Sequence, residues 1–550
     1  MSQQALGVLR SGATPRAYAA GVKSGSARRV SATILGHGPR MPRGQASYRA
    51  AAGQETRPEL ADIGRLARRL MLRAVAVARA EDASVRRLLC EHLGADAAAL
   101  PVAAGTWPAY DQVNVQAGLD AWLAEPGREH QLAGLTQFHH RDFGLAELMQ
   151  GDSQPFGPGI GSVATEALPA GPDGVTRPCV QYGLYLTADT DGAVALLVRG
   201  PDEHGPMEDV SVQVACASQG RAQRVVDEIR RLSLERNVFR GHVISFGDEV
   251  FGHGRGALLS FLDRPQVGRD QVVLPPEILD GIERQVLGVA RHASRLLASG
   301  QHLRRGVLLY GAPGTGKTHT VRYLLGRLPG VTVVVLSGRA LGMIAEACSV
   351  ARSLQPSVVV VEDVDLIAEE RGPHMGQHPL LFELLNEMDG LGQDIDVTFL
   401  LTTNRADLLE EALAARPGRV DHAALLPVPG AEARRRLVRL YQAGLELDLS
   451  DPEAVISRTE GVTASFIKEL LRRAALYAAE EEGQDGEPGG VPLRVTDVHM
   501  GAALDQLLDT RSELTRVLLG GGTLREADAG ISGPASSRPV PRRPGRASDR

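Results

Sequence analysis

The feature that most constrains this chain is a short apolar run followed directly by a glycine-rich loop. Residues 306–310 read Gly-Val-Leu-Leu-Tyr, a buried-strand pattern, and residues 311–318 read Gly-Ala-Pro-Gly-Thr-Gly-Lys-Thr, which satisfies G-x-x-x-x-G-K-[ST]. A helical pattern follows over 321–328. The glycines let backbone N–H groups turn inward around an anion, and the start of the helix adds its positive end. The order strand, loop, helix predicts a parallel α/β sheet with a phosphate-binding loop at its edge.

The loop also supplies the groups that a magnesium-bound nucleoside triphosphate needs. Lys317 is one of only three lysines beside 57 arginines, which indicates a position where a compact ammonium is required to reach the β- and γ-phosphates. The Thr318 hydroxyl is the expected Mg²⁺ ligand. The predicted nucleotide-binding residues are Gly311, Ala312, Pro313, Gly314, Thr315, Gly316, Lys317, Thr318 and His319.

A second apolar run, residues 358–361, ends in the acids Glu362, Asp363 and, after one valine, Asp365. Carboxylates at the carboxyl edge of a sheet, beside a phosphate-binding loop, can hold the Mg²⁺ shell and polarise a water molecule. We therefore expect Glu362 to join Thr318 at the metal and Asp363 to act in catalysis. The start of a helix would by itself also explain Asp363 or Asp365.

Four segments in this order resemble the AAA family of P-loop ATPases: residues 306–318, 382–390 (Phe-Glu-Leu-Leu-Asn-Glu-Met-Asp-Gly), 402–405 (Thr-Thr-Asn-Arg) and 416–421 (Arg-Pro-Gly-Arg-Val-Asp). The resemblance covers roughly residues 268–482. It implies an enzyme that hydrolyses ATP to ADP and phosphate with Mg²⁺. It also implies one AAA module behind an amino-terminal α+β domain, a layout similar to actinobacterial chains.

The resemblance assigns roles to further residues. Asn404 matches the polar sensor that orients the attacking water, and Arg416 and Arg419 match arginine fingers that act on the nucleotide of a neighbouring subunit. Fingers acting in trans imply a homo-oligomeric ring, a hexamer in this family. The predicted catalytic residues are Lys317, Glu362, Asp363, Asn404, Arg416 and Arg419.

Two departures from the family pattern bear on activity. The usual order of the paired acids is Asp then Glu, whereas this chain has Glu362 then Asp363, and we expect activity that is slow. Substrate-threading members carry an aromatic pore loop; the matching segment here, residues 336–346, is short and lacks an aromatic residue. Leu341 or Met343 would have to grip a substrate in its place.

The predicted fold is an α/β P-loop NTPase core with a small helical lid domain, an α+β domain before it, and disordered termini. We expect a disordered basic extension at 1–58, a helical region at 59–150, a linker and α+β module at 151–267, the large AAA domain at 268–430, the lid and following helices at 431–520, and a disordered tail at 521–550.

The net charge and the cysteines limit the partners and the cellular compartment that we expect. The net charge is −6, and because both ends are basic the body is more acidic still, which disfavours binding to nucleic acid. Four scattered cysteines predict a reducing, cytoplasmic compartment. The sequence contains no run of 18 apolar residues, so no membrane span is predicted. It contains no H-E-x-x-H motif, so no metalloprotease site is predicted.

Three functions remain open at this point. The first is a motor that remodels or unfolds a protein partner chosen by the amino-terminal module. The second is a slow nucleotide-switched scaffold, favoured by the inverted acids and the missing pore aromatic. The third is a motor acting on nucleic acid, disfavoured by the acidic body.

Overall fold

The computed structural model describes most of the chain between residues 85 and 508. The described residues are 68–69, 85–94, 96–136, 143–150, 159–201, 209–246, 259–366, 379–390, 392, 395–406, 419–482 and 492–508. The predicted disordered ends, 1–58 and 521–550, lie outside them. The chain divides into two compact units, Met1–Leu70 and Met71–Arg550, and every element below belongs to the second.

The amino-terminal module is an antiparallel sheet between helices. Its strands are β1 (Val102–Trp107), β2 (Glu129–Leu135), β3 (Ile160–Gly161), β4 (Ala164–Pro169), β5 (Thr176–Asp189), β6 (Gly192–Arg199) and β7 (Val210–Cys216). Its helices are α1 (Val85–Leu93), α2 (Gln112–Leu123), α3 (Leu145–Gln150) and α4 (Gln219–Glu235). The strand order is β1-β7-β6-β5-β2-β3, with β4 also paired to β5.

Alternation along β6 shows why both faces of this sheet are covered. Leu196 and Val198 pack with Trp122 in the core beneath α2 and α4, whereas Ala195 and Leu197 belong to the core beneath α1 and α3. Successive side chains of a strand point to opposite faces, so an apolar run over the whole strand needs a helical layer on each side.

The boundaries predicted for this part of the chain differ from the structure. The region predicted as helical over 59–150 contributes β1 and β2 to the sheet, and the predicted linker contributes β3, β4 and the start of β5. β1 reads Val-Ala-Ala-Gly-Thr-Trp, and its alternating burial rests on small side chains that give a weak sequence pattern. The glycines and prolines of the linker do not exclude strands, since Gly161, Pro169 and Pro178 lie in β3, β4 and β5.

The second sheet has the topology that positions the site. Its strands are β8 (Val243–Phe246), β9 (Leu259–Leu262), β10 (Arg305–Tyr310), β11 (Thr332–Leu336), β12 (Ser357–Val361), β13 (Val397–Thr403) and β14 (His422–Leu425). The order is β14-β10-β13-β12-β11-β8-β9, parallel throughout except for the antiparallel β9. The carboxyl ends of β10, β12 and β13 therefore meet at one edge.

Helices cover both faces of this sheet. They are α5 (Pro276–Glu283), α6 (Val289–Ala298), α7 (Lys317–Gly326), α8 (Ile344–Ser353) and α9 (Pro379–Asp389). Phe399 and Leu401 of β13 belong to the core with α8 and α9, and Leu400 between them belongs to the core with α5 and α7. The prediction of a parallel α/β sheet is confirmed.

The sheet begins before residue 268, where the large domain was predicted to start. β8 pairs in parallel with β11, and β9 continues the sheet beyond β8. The two short strands cover the edge of β11, which would otherwise present unpaired backbone groups. A strand of only four residues, such as β8, gives little indication in the sequence that it joins a distant sheet.

The module and the second sheet share one hydrophobic core. Tyr110 and Val113 of the module are buried in the same cluster as Ile344 and Ala347 of α8. The Tyr110 ring meets Phe246 edge-on at 5.8 Å between centroids. The Tyr110 hydroxyl hydrogen-bonds to Ser349 of α8. The module is therefore packed against the helix that follows the segment predicted as a pore loop.

The carboxyl-terminal part described is a helical subdomain. Its elements are α10 (Ala431–Gln442), β15 (Glu446–Asp448), α11 (Pro452–Arg458), α12 (Ala464–Glu482), β16 (Arg494–Thr496) and α13 (Asp497–Leu508). α10, α12 and α13 bury a separate apolar core that includes Phe466 and Leu470, and β15 pairs in parallel with β16. Nowhere in the described ranges does a helix have the length and apolar character needed to span a membrane.

Candidate nucleotide site

The phosphate-binding loop lies between the end of β10 and the start of α7. Gly314 and Gly316 have φ values of +81° and +102°, a region that residues with a side chain rarely adopt. A Cβ atom on Gly314 would stand 2.8 Å from the Thr463 hydroxyl and 2.9 Å from Ser465. Both glycines are therefore required by the path of the loop, and helix α7 begins at Lys317 with its amide end facing the loop.

Lys317 is aimed into this loop. Its side chain is buried, with 7% of the residue exposed, and Nζ donates to the carbonyls of Gly311 at 2.8 Å and Ala312 at 3.0 Å. Burial lowers the pKa of Lys317, and the nearby Asp363 and Asp365 oppose that shift. An ammonium held by two carbonyls of its own loop can exchange them for phosphate oxygens without moving its stem.

The two residues predicted to hold Mg²⁺ meet in the structure. The Thr318 hydroxyl lies close to the carboxylate of Glu362, which follows β12 directly. Burial raises the pKa of Glu362, Asp363 adds to the rise, and the nearby Thr318 hydroxyl opposes it. A hydroxyl and a carboxylate are hard oxygen ligands of the kind that Mg²⁺ prefers together with substrate phosphates, so these residues fit the metal.

Asp363 and Asn404 form the second pair. Asn404 follows β13, the neighbour of β12, and its Nδ2 donates to Asp363 Oδ1 at 3.3 Å. Asp363 has φ +54°, and its backbone N–H donates to Thr402 Oγ1 at 3.0 Å. Asp and Asn tolerate this left-handed backbone better than other residues that carry a side chain. The predicted catalytic acid and the predicted sensor are thus brought together.

Asp365 was given no role beyond a helix start, yet it is the buried acid of this edge. It is 9% exposed, and its Oδ1 accepts from Thr403 Oγ1 at 2.9 Å and from the backbone N–H of Asn404 at 3.1 Å. The signal in the sequence is the second aspartate of Glu-Asp-Val-Asp, two residues beyond the predicted catalytic acid.

The structure describes one of the two predicted arginine fingers. Arg416 lies outside the described residues. Arg419 is 6% exposed and forms an ion pair with Asp389 at the end of α9 in its own chain. A Cβ atom on Gly306 would stand 2.2 Å from the Arg419 carbonyl oxygen, so the Arg419 backbone packs tightly on β10. The prediction that Arg419 reaches a neighbouring subunit is at odds with this geometry, because a buried paired guanidinium is held in place by its carboxylate.

Two further segments flank the loop. His319 Nε2 lies 3.1 Å from the carbonyl oxygen of Gln271, in the segment before α5. From the helical subdomain, the backbone N–H of Ser465 donates to the Gly314 carbonyl at 3.2 Å. This contact at the start of α12 is set by the folding of the subdomain over the sheet.

The segment predicted to grip a substrate does not form an exposed loop. Gly338–Met343 is a 3-10 helix, and Leu341 is 3% exposed in the core shared with α8. Met343 is partly buried against the same core. Without an aromatic residue to present, the apolar side chains of this short segment gain more by packing inward. The prediction that Leu341 grips a substrate is therefore wrong for this structure.

Comparison with known proteins agrees with this geometry. The model of the family "ATPase family associated with various cellular activities (AAA)" matches residues 307–428. The chain is 35% identical over 210 residues to "ATP-dependent zinc metalloprotease FtsH 2" of Symbiobacterium thermophilum, covering 35% of each protein. It is 32% identical over 240 residues to human "ATPase family gene 2 protein homolog A", covering 40% of this chain and 26% of that protein.

The chain thus spans about a third or less of the length of these relatives. The loop with Lys317, the Thr318–Glu362 contact and the Asp363–Asn404 contact all lie within the residues that match the family, 307–428. From the sheet topology, the site and the family match together, residues 307–428 form an AAA ATPase region that carries the groups for ATP binding and hydrolysis.

Proposed function

We propose that this chain is an ATP-driven motor that remodels or unfolds a protein partner. The observation that carries the proposal is the convergence of Lys317, Glu362 and Asn404, from three strands, at one edge of the second sheet. The printed names of the relatives support a protein as the partner, since the FtsH proteins are ATP-dependent proteases. The amino-terminal module, packed against α8, would select the partner.

In this proposal each residue of the site has one task. Lys317 holds the β- and γ-phosphates, and Thr318 and Glu362 hold Mg²⁺, which neutralises charge on the phosphates when bound. Asp363 orients and polarises the attacking water, and Asn404 fixes the direction of the Asp363 carboxylate. Arg416 would complete the site of the next subunit in a hexameric ring of this chain.

A slow nucleotide switch is the second candidate, and one observation favours it. Leu341 is buried in the core, so the chain presents no apolar grip at the place where threading relatives would carry one. The order Glu362 then Asp363 would also slow hydrolysis, because a displacement of about 1 Å can cost ~100-fold in rate. A switch would bind ATP, turn over slowly and signal by a change of shape.

Two further parts of the proposal concern the setting. We place the protein in the cytoplasm, supported by Cys90, Cys179, Cys216 and Cys348, which are all free. We expect no nucleic acid among its partners, because the acidic body repels phosphates. A rise in ATP turnover with added DNA or RNA, lost at higher salt, would contradict this second part.

The test is ATP turnover by the full chain over a series of protein concentrations. A motor with shared sites should show specific activity that rises with concentration as rings form, and that is lost in Asp363→Asn. The same variant, expected to bind but not cleave, can then retain partners. Tight binding of ATP with turnover that stays low at every concentration would favour the switch instead.

A further inference from the structure

We propose that Asp365 is a positioning residue for hydrolysis: it fixes the backbone of Asn404 so that the Asn404 amide faces Asp363. The proposal rests on ATP hydrolysis at this site and deepens it. It assigns a task to the buried acid of Glu-Asp-Val-Asp, whose hydrogen bonds go to Thr403 and Asn404.

The first step is the geometry at the ends of β12 and β13. The last paired residues of the two strands are Val361 and Leu401, and beyond them other hydrogen bonds join the two segments. The Val364 N–H donates to the Thr402 carbonyl at 2.9 Å. Oδ1 of Asp365 then accepts hydrogen bonds from the next two residues after β13's Thr402, namely Thr403 at 2.9 Å and Asn404 at 3.1 Å.

The second step is that these bonds control a whole turn. Thr403 Oγ1 donates to Asp365 and accepts from the N–H of Arg405 at 2.9 Å. Asp365 therefore anchors three consecutive residues, 403 to 405, two directly and one through a hydroxyl. Buried polar groups that lose their partner cost free energy, so the turn has a strong reason to keep this arrangement.

The third step is the contrast with Asn404 itself. Asn404 is exposed, and its amide reaches Asp363 over 3.3 Å, a long hydrogen bond. Such an amide is oriented mainly by its backbone, and that backbone is held from behind by the buried Asp365. Both bonds that Asp365 Oδ1 accepts from described residues come from the end of β13, so its role extends beyond starting a helix in its own segment.

The experiment is a double-mutant cycle on the full chain with Asp365→Ala, Asn404→Ala and both together. At saturating Mg-ATP we expect Asp365→Ala to lower kcat about 100-fold, the scale of a misplacement of ~1 Å, with the Kd for ADP changed by less than about threefold. The double variant should be no slower than Asn404→Ala. Asp365→Asn, which keeps an acceptor oxygen, should recover most of the rate.

Asp421→Ala is the matched control. Oδ2 of Asp421 accepts from the Gly306 N–H at 2.8 Å, near the start of β10 and away from the site. This substitution therefore also removes a carboxylate that holds a strand. Its effect should multiply with that of Asn404→Ala, as expected for distant independent sites. Multiplication in the Asp365 cycle, or loss of ADP binding in Asp365→Ala and Asp365→Asn alike, would overturn the positioning role.

A second readout separates this proposal from the proposed function. The ratio of the affinities for a non-hydrolysable ATP analogue and for ADP needs no turnover. Asp365→Ala and Asn404→Ala should change this ratio by the same factor, and the double variant by no more. If turnover by the wild-type chain stays low at every protein concentration, the proposed motor fails while this equality still supports the positioning of Asn404 by Asp365; an unchanged ratio in Asp365→Ala overturns the positioning role.

Discussion

The two large sheets each have seven strands among the described residues, yet the candidate nucleotide site lies at the edge of the second alone. In the amino-terminal module every pairing is antiparallel, so neighbouring strands end at opposite edges. In the second sheet β10, β12 and β13 are parallel, and the residues after each of them meet at one edge. Parallel connection is thus what turns three separate sequence segments into one site.

The largest effect that tests this contrast is expected for Lys317→Ala. Loss of the ammonium removes the group that holds the phosphates, and turnover should fall on the order of 10³-fold, the upper range for removing a preorganised donor. Lys468→Ala is the control, since Lys468 is exposed on α12 and should leave turnover unchanged. Similar losses in both variants would mean that the edge of the second sheet is not the site.

Next comes Asp363→Asn, which keeps the size of the side chain and its hydrogen bond to Asn404. Turnover should fall by about 10²-fold because a general base is lost, while ADP binds as before. Asp191→Asn, in the hairpin turn of the module, changes an acid at the edge of the other sheet and should have no effect. Turnover and binding can be followed on the same preparations by phosphate release and calorimetric titration.

A smaller effect is expected where the two sheets meet. Tyr110→Phe removes the hydroxyl that bonds to Ser349 and should lower the free energy of unfolding by about 1 kcal/mol. Because both sheets share a core, chemical denaturation should still show one transition for them. Two separated transitions in the wild-type chain would break the comparison, since the module would then be an independent body.

The smallest effect concerns pH. The folded-state pKa of Glu362 is raised, so its contribution to stability is complete below the ordinary glutamate pKa of about 4.3 and is lost as pH rises through the raised value. Glu362→Gln, without nucleotide, should therefore be more stable than wild type at neutral pH, by less than about 1 kcal/mol because the side chain is half-exposed. The difference should vanish near pH 4, and thermal unfolding at both pH values checks it.

In the wild-type chain the same raised pKa should weaken Mg²⁺ binding on acidification. Protonation of Glu362 removes a metal ligand, so turnover should begin to fall at a pH above the ordinary glutamate range. Extra Mg²⁺ should move this limb of the profile to lower pH. If the fall in turnover at acidic pH does not shift with the Mg²⁺ concentration, another titrating group causes it.

Much of the second sheet could be predicted, and the first strands of the module could not. The loop at 311–318 and the acids at 362–363 stand beside long apolar runs, so their strands are evident in the sequence. β1 is built from small residues and β8 has four residues, and both find their places only through pairing with β7 and β11. Local pattern is weak wherever a strand depends on distant partners.

The sequence by itself determined which groups the site offers: the types of residue that can bind phosphate and Mg²⁺, and the strands that Lys317, Glu362 and Asn404 follow. Only the tertiary structure decided what each remaining side chain faces. Arg419 pairs within its own chain, Leu341 is buried, and Asp365 lies behind Asn404, because each position depends on which elements pack together. Motif spacing records which groups are present, whereas burial and pairing are properties of the folded neighbours.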